Sequence, residues 1–126
     1  MDSGYSATVL GNDVYDEFAE YFGVVRNSNG VYKVSCDLGS GSVDFGFGSN
    51  PQVIISVPFS EIAVPNYMDT TGGCVFGFEA AETNKVISFG DTFLRSAYVL
   101  YNYDSSTISL AQSSYDQGCT NCAVTI

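Results

Sequence analysis

Histidine is absent from this chain, and only four of its 126 residues, Arg26, Lys33, Lys85 and Arg95, are cationic. Without an imidazole, a Ser-His or Cys-His nucleophile cannot be assembled within it. Fourteen carboxylates against four cations give a formal charge of −10 and a pI near 4.1. Nucleic acid and anionic membranes are therefore excluded as partners, because such a surface repels both. The same surface loses self-repulsion as its carboxylates protonate, so acid suits it better than alkali. The sequence also lacks an Asn-x-Ser/Thr sequon, a recognisable signal peptide, a transmembrane run, internal repeats and low-complexity tracts. No N-glycan or membrane span is expected on this stretch.

What is present is one domain's worth of β-like sequence, long enough to bury a core. Short runs rich in Val, Ile, Tyr and Phe, separated by Gly, Asn, Ser and Pro, predict strands near 31–36, 42–47, 52–57, 74–78, 85–89, 98–103 and 107–111. The first of these follows an Asn29-Gly30 turn, and the last two form a hairpin around Asp104-Ser105-Ser106. Tyr98, Tyr101 and Tyr103 are read as core and hairpin packing. One main helix is predicted over 13–22, capped by Asn12 and stopped by Gly23, with Val14, Phe18, Tyr21 and Phe22 on its apolar face. Its carboxylates Asp13, Asp16, Glu17 and Glu20 read as a solvated face. Residues 1–112 form the domain and 113–126 a polar tail.

Four cysteines, an even number in an acidic, Tyr- and Gly-rich chain, favour an oxidising setting. Cys36 and Cys74 lie in separate β-like runs, and Cys119 and Cys122 form a C-x-x-C in the tail. A thioredoxin-like role for that pair would need a βαβ context, and zinc would need further ligands; neither is present. A tail disulfide, within the pair or to another chain, is expected.

Two motifs carry the functional reading. Asp2-Ser3-Gly4 opens the chain, and Val86-Ile87-Ser88-Phe89-Gly90-Asp91-Thr92-Phe93-Leu94-Arg95 follows about ninety residues on, continued by Ile108-Ser109-Leu110-Ala111-Gln112. In order and spacing they resemble the C-terminal lobe of a pepsin-like, fungal-type aspartic protease, and the likeness spans nearly the whole chain. The resemblance implies a mainly β, partly barrel-like lobe and an aspartic endopeptidase in which a water between two Asp residues hydrolyses a peptide bond at acid pH. No metal or cofactor takes part in such a reaction.

The resemblance also implies roles. Asp2 is the catalytic candidate. Ser3 would reach across to the other lobe's loop, and Gly4 would let the substrate backbone approach. Tyr5 stands where the family carries Ser or Thr, so Ser6 substitutes for that hydroxyl or Tyr5 lines the cleft. Phe89 and Gly90 would support the loop from behind, with Ser88 in a place that is usually apolar. Asp91 either tunes the site or caps a helical turn over 92–95. Ile87, with Gly4, Tyr5 and Ser6, is a substrate-binding candidate, and Cys36 pairs with Cys74. Closing that ring would stabilise by roughly 4 kcal/mol on the chain-entropy account.

The partner implied is an N-terminal lobe carrying the first catalytic Asp, from the same precursor or a second chain, and the substrate a peptide or protein. With one such triplet, the chain alone would supply half an active site. It would be half of a nicked enzyme, a truncated product or a fragment, working in a secreted or vacuolar setting. The competing reading is a catalytically silent β-rich binding module or secreted effector.

Overall fold

A computed structural model describes residues 1–28, 30–66, 72–81, 86–113 and 124–125. Asn29, Lys85, Cys119 and Cys122 lie outside these residues. In chain order the elements are β1 (Thr8–Leu10), α1 (Asn12–Phe22), β2 (Val25–Arg26), β3 (Tyr32–Val34), β4 (Ser42–Phe47), β5 (Val53–Pro58), α2 (Phe59–Ile62) and β6 (Ala63–Pro65). They continue with β7 (Cys74–Phe76), β8 (Phe78–Ala80), α3 (Asp91–Leu94), β9 (Ala97–Asn102), β10 (Thr107–Gln112) and β11 (Val124–Thr125). The mainly β expectation holds. The strands form four sheets rather than a closed barrel: β1-β8, β11-β10-β9, β2-β3-β7-β6 and β4-β5.

Alternation in 42–47 produces the β4-β5 hairpin, six residue pairs in register from Ser42↔Pro58 to Phe47↔Val53. Its inner residues Val43, Ile55 and Val57 are buried. The run predicted as one strand over 74–78 is two, broken at Gly77, where the chain changes partner from β6 to β1. Gly77 donates to the Ile62 carbonyl at 2.7 Å and accepts from Thr8 N–H at 3.0 Å. A Cβ there would stand 2.8 Å from both the Ile62 oxygen and Thr92 Cγ2, closer than atoms pack. Of the strand predicted over 85–89, the described residues contain one isolated bridge, Val9↔Ser88.

Helix α1 begins one residue earlier than predicted. Gly11 holds the N-cap position without a side-chain bond, and Asn12 is the first helical residue, so the predicted Asn12 cap is corrected. Gly23 closes the helix in the left-handed conformation, as its place in the sequence implies. The inward stripe is Tyr15, Phe18, Ala19 and Phe22. Val14 and Tyr21 stand exposed, correcting the predicted face. Tyr15 fits because its ring packs against Tyr32 and Phe76, while Phe18 tilts onto Phe78. Burial, more than the neighbouring Tyr32, Asp16 and Glu79, raises the Tyr15 phenol above its usual value. Because the folded value is the higher one, that stability is intact below pH about 10 and fades as pH climbs past it.

The core runs from Leu10 and Val34 through Ile55, Val57, Ile62, Phe76 and Phe78 to Phe93. Tyr98, Tyr101 and Tyr103 lie outside it, 58%, 48% and 90% exposed, which corrects their assignment as core packing. Tyr98 and Tyr101 pair with Ala111 and Ile108 across the hairpin, and phenol tips tolerate water. Two contacts tie the layers together. The Gln112 amide meets the outer edge of β5 as a strand would, its Oε1 accepting from Ser56 N–H at 2.7 Å and its Nε2 donating to Ser56 O at 3.0 Å. The other is the Cys36–Cys74 disulfide, 38 residues apart in sequence, as the resemblance implied. Replacing both cysteines with Ser is expected to cost about 2–5 kcal/mol. A lowered urea midpoint, matched by adding reductant to the unmodified chain, checks this.

Candidate active site

The first six residues are exposed, yet their backbone is fixed from behind. Asp2 N–H donates to the Phe89 carbonyl at 2.8 Å, Asp91 N–H to the Tyr5 carbonyl at 2.9 Å and Thr92 N–H to the Ser6 carbonyl at 3.2 Å. Val9 and Ser88 exchange both backbone bonds, 2.7 and 3.1 Å. A two-strand staple therefore carries the turn on its end. Within the turn, Gly4 N–H donates to Asp2 Oδ1 at 3.0 Å and Tyr5 N–H to the Asp2 carbonyl at 3.3 Å, which sets the carboxylate's direction.

Rigidity behind the turn comes from aromatic packing. Phe89 faces Phe93 at 4.6 Å between ring centroids, Phe47 at 5.4 Å and Phe45 at 5.8 Å. Phe93 is fully buried. The Phe89 side chain is thus locked into the core while its carbonyl holds Asp2. Gly90 fits between the two segments because it has no side chain: a Cβ would lie 2.0 Å from the Ala7 carbonyl oxygen and 2.5 Å from that of Tyr5.

Helix α3 begins one residue before the turn predicted over 92–95. Gly90 occupies its N-cap position and Asp91 its first turn, so Asp91 does not cap it. The Asp91 carboxylate stands at a helix start, where negative charge is favourable. Ile87 is 56% exposed beside the turn's supporting bridge. Ser3 and Ser6 are exposed, and neither hydroxyl has a partner among the described residues.

Sequence reading passed over three residues that hold this site. Thr8 and Thr92 are both fully buried, their hydroxyls 2.9 Å apart, and Thr92 donates to Gly77 O at 3.0 Å. A hydroxyl has one proton, so Thr8 is the donor to Thr92. Thr8, a polar residue inside the apolar run 7–10, was the available signal. Thr92→Val keeps the shape and removes the relay, leaving the Gly77 carbonyl without its hydroxyl donor. It is expected to cost about 1–3 kcal/mol, read from the urea midpoint. The third is Glu79, whose Oε2 accepts from the Tyr5 hydroxyl. Nothing in local sequence could reveal a contact across 74 positions.

Ser6, Ala7, Gly77 and Glu79 help line a crevice of about 70 Å³. A roomier pocket of about 550 Å³ at Cys36 and Cys74 contains none of the turn's residues. Among the described residues no three His, Cys, Asp or Glu side chains cluster as metal ligands, and no helix is long and apolar enough to cross a membrane.

Known proteins place this geometry in context. Candidapepsin-3 of Candida albicans is 39% identical over 132 aligned residues, which cover 99% of this chain and 32% of the relative. Candidapepsin of Candida tropicalis is 38% identical over 118 residues, 91% of this chain and 28% of the relative. An acid protease of Saccharomycopsis fibuligera is 34% identical over 115 residues, 91% and 28% respectively. The chain thus spans about a third of the length of the curated relatives it matches. Residues 1–113 match the family described as eukaryotic aspartyl protease. With that match over the stapled Asp-Ser-Gly turn and its Phe89–Gly90 support, the chain belongs to the eukaryotic aspartyl protease family as a fungal, pepsin-like member.

Proposed function

We propose that this chain is one lobe of a secreted or vacuolar acid endopeptidase and that Asp2 is one of two catalytic carboxylates, the other coming from an N-terminal lobe. The observation that carries the reading is the placement of Asp2: an exposed carboxylate on a turn whose backbone is bound to Phe89, with Gly90 fitted against the carbonyls of Tyr5 and Ala7.

In the proposed assembly the two carboxylates face each other across a water and share one proton, because two charges that close are costly. The ionised member takes a proton from the water while the protonated member donates to the scissile carbonyl oxygen. The resulting hydroxide equivalent adds to the carbonyl carbon and gives a neutral gem-diol. Collapse breaks the C–N bond as the amine nitrogen takes a proton, leaving acid and amine and returning the shared proton to the pair. The exposure of Ser3, whose hydroxyl has no partner among the described residues, supports the reading that it bonds a facing loop. Gly4 leaves the approach to Asp2 unobstructed by a side chain, and Ser6 offers a hydroxyl to substrate backbone.

A peptide carrying a statine group, whose hydroxyl mimics the gem-diol, tests the reading on the chain joined to an N-terminal lobe. Casein hydrolysis at pH about 3 to 5, blocked by that peptide, is the expected result. Neither hydrolysis nor inhibitor binding would leave the silent binding module as the better description.

A further inference from the structure

Tyr5 is the residue of the turn whose side chain reaches farthest, and the structure gives it a fixed anchor. Its hydroxyl donates to Glu79 Oε2. Glu79 sits on β8 opposite Val9 of β1, in the parallel pair that carries the turn. The Tyr5 carbonyl is held by Asp91 N–H at 2.9 Å. Backbone bonds thus fix one end of the side chain and a carboxylate on a paired strand fixes the other. The ring spans from the Asp2 turn to β8 with 40% of its surface still open.

A Ser or Thr at this place would leave the neighbouring space open; a tethered phenol occupies it. The crevice lined by Ser6, the chain neighbour of Tyr5, and by Glu79, its hydrogen-bond partner, measures about 70 Å³, room for a few waters or a small aliphatic group.

We propose that Glu79 is a positioning residue that fixes the Tyr5 ring as a wall of the substrate cleft, and that the wall so held makes the subsite beside Asp2 select small side chains over bulky apolar ones. This deepens the proposed protease function and rests on it.

The test uses the chain assembled with its N-terminal lobe and two peptides differing only in Ala or Leu next to the cleaved bond. The unmodified enzyme is expected to prefer Ala. Glu79→Ala and Tyr5→Phe, which each remove the bond, should lower the Ala-to-Leu ratio of kcat/KM about tenfold, within the range that one or two methylenes decide. Glu79→Gln keeps an acceptor oxygen and should restore the ratio.

A ratio unmoved in Glu79→Ala, a Glu79→Gln variant that behaves like Glu79→Ala, or an equal fall on both peptides overturns the proposal. Failure of the protease reading has another signature: no turnover by the unmodified assembly, or turnover that survives Asp2→Asn. In that event non-cleavable statine peptides with Ala or Leu report the same preference as a ratio of Kd values, and equal or absent binding overturns the proposal. The Tyr5 ζ-carbon resonance, assigned with Tyr5→Phe, reads the bond itself. It should move in Glu79→Ala and hold in Glu79→Gln; no movement in either overturns the positioning role.

Discussion

Asp2→Asn is expected to lower kcat/KM of the assembled enzyme by about 1,000-fold or more, because the amide can neither accept the water's proton nor share one with its partner. The substitution is close to isosteric. Its Oδ1 can still accept from Gly4 N–H, a bond now 3.0 Å long, and the Asp2 backbone bond to Phe89 does not involve the side chain. Folding and assembly should therefore be preserved while turnover is lost. Acid-pH peptide hydrolysis, run beside an assembly measurement, separates the two effects. Activity within tenfold of the unmodified enzyme would remove Asp2 from the chemistry.

Gly90→Ala should have an effect of similar size on stability. The added methyl would overlap the carbonyl oxygens of Ala7 and Tyr5, at 2.0 and 2.5 Å, and its neighbours are backbone atoms that no rotamer change can move. Relief requires the segment from Tyr5 to Ala7 and the start of α3 to separate. That movement breaks the Asp91-to-Tyr5 and Thr92-to-Ser6 bonds and disturbs the buried Thr8–Thr92 relay. A cost above about 4 kcal/mol is expected, in the range where few single substitutions fall. The urea midpoint reads it, and catalysis should fall with it because the same bonds orient the Asp2 turn. A midpoint within the error of the unmodified chain would show that the close packing is not what holds the turn.

Much of the fold could be read from sequence where the signal was local. The alternation in 42–47 and the apolar run that follows it marked β4 and β5 to within a residue, though not their pairing as a hairpin. The tripeptide Asp104-Ser105-Ser106 marked the β9-β10 turn, and Asn102 Oδ1 accepts there from Asp104 and Ser105 N–H. The helix was legible as an element but not as a face. Phe18 lies four residues after Val14 and three after Tyr15, and the choice between them was made by the waiting rings of Tyr32 and Phe76. Helix α2, four residues long, is too short to show a period.

At the site, the Asp-Ser-Gly turn and the Phe89-Gly90 pair were visible as motifs, while the forces joining them were not. The bonds from Asp2 to Phe89 and from Tyr5 to Asp91 cross more than eighty residues, and the Tyr5–Glu79 contact pairs two side chains with no shared pattern. The steric demand on Gly90 exists only once Ala7 and Tyr5 lie against it. Such constraints belong to the folded chain and not to any window of its sequence.

Mixing this chain with a separately produced N-terminal lobe bearing its own catalytic Asp, and following release of a fluorogenic peptide at pH about 4, puts the two-carboxylate mechanism to its most direct trial. Each piece alone should be silent, with hydrolysis appearing on mixing and vanishing when either Asp is changed to Asn. Hydrolysis by this chain on its own, or by a mixture carrying Asp2→Asn, would contradict it.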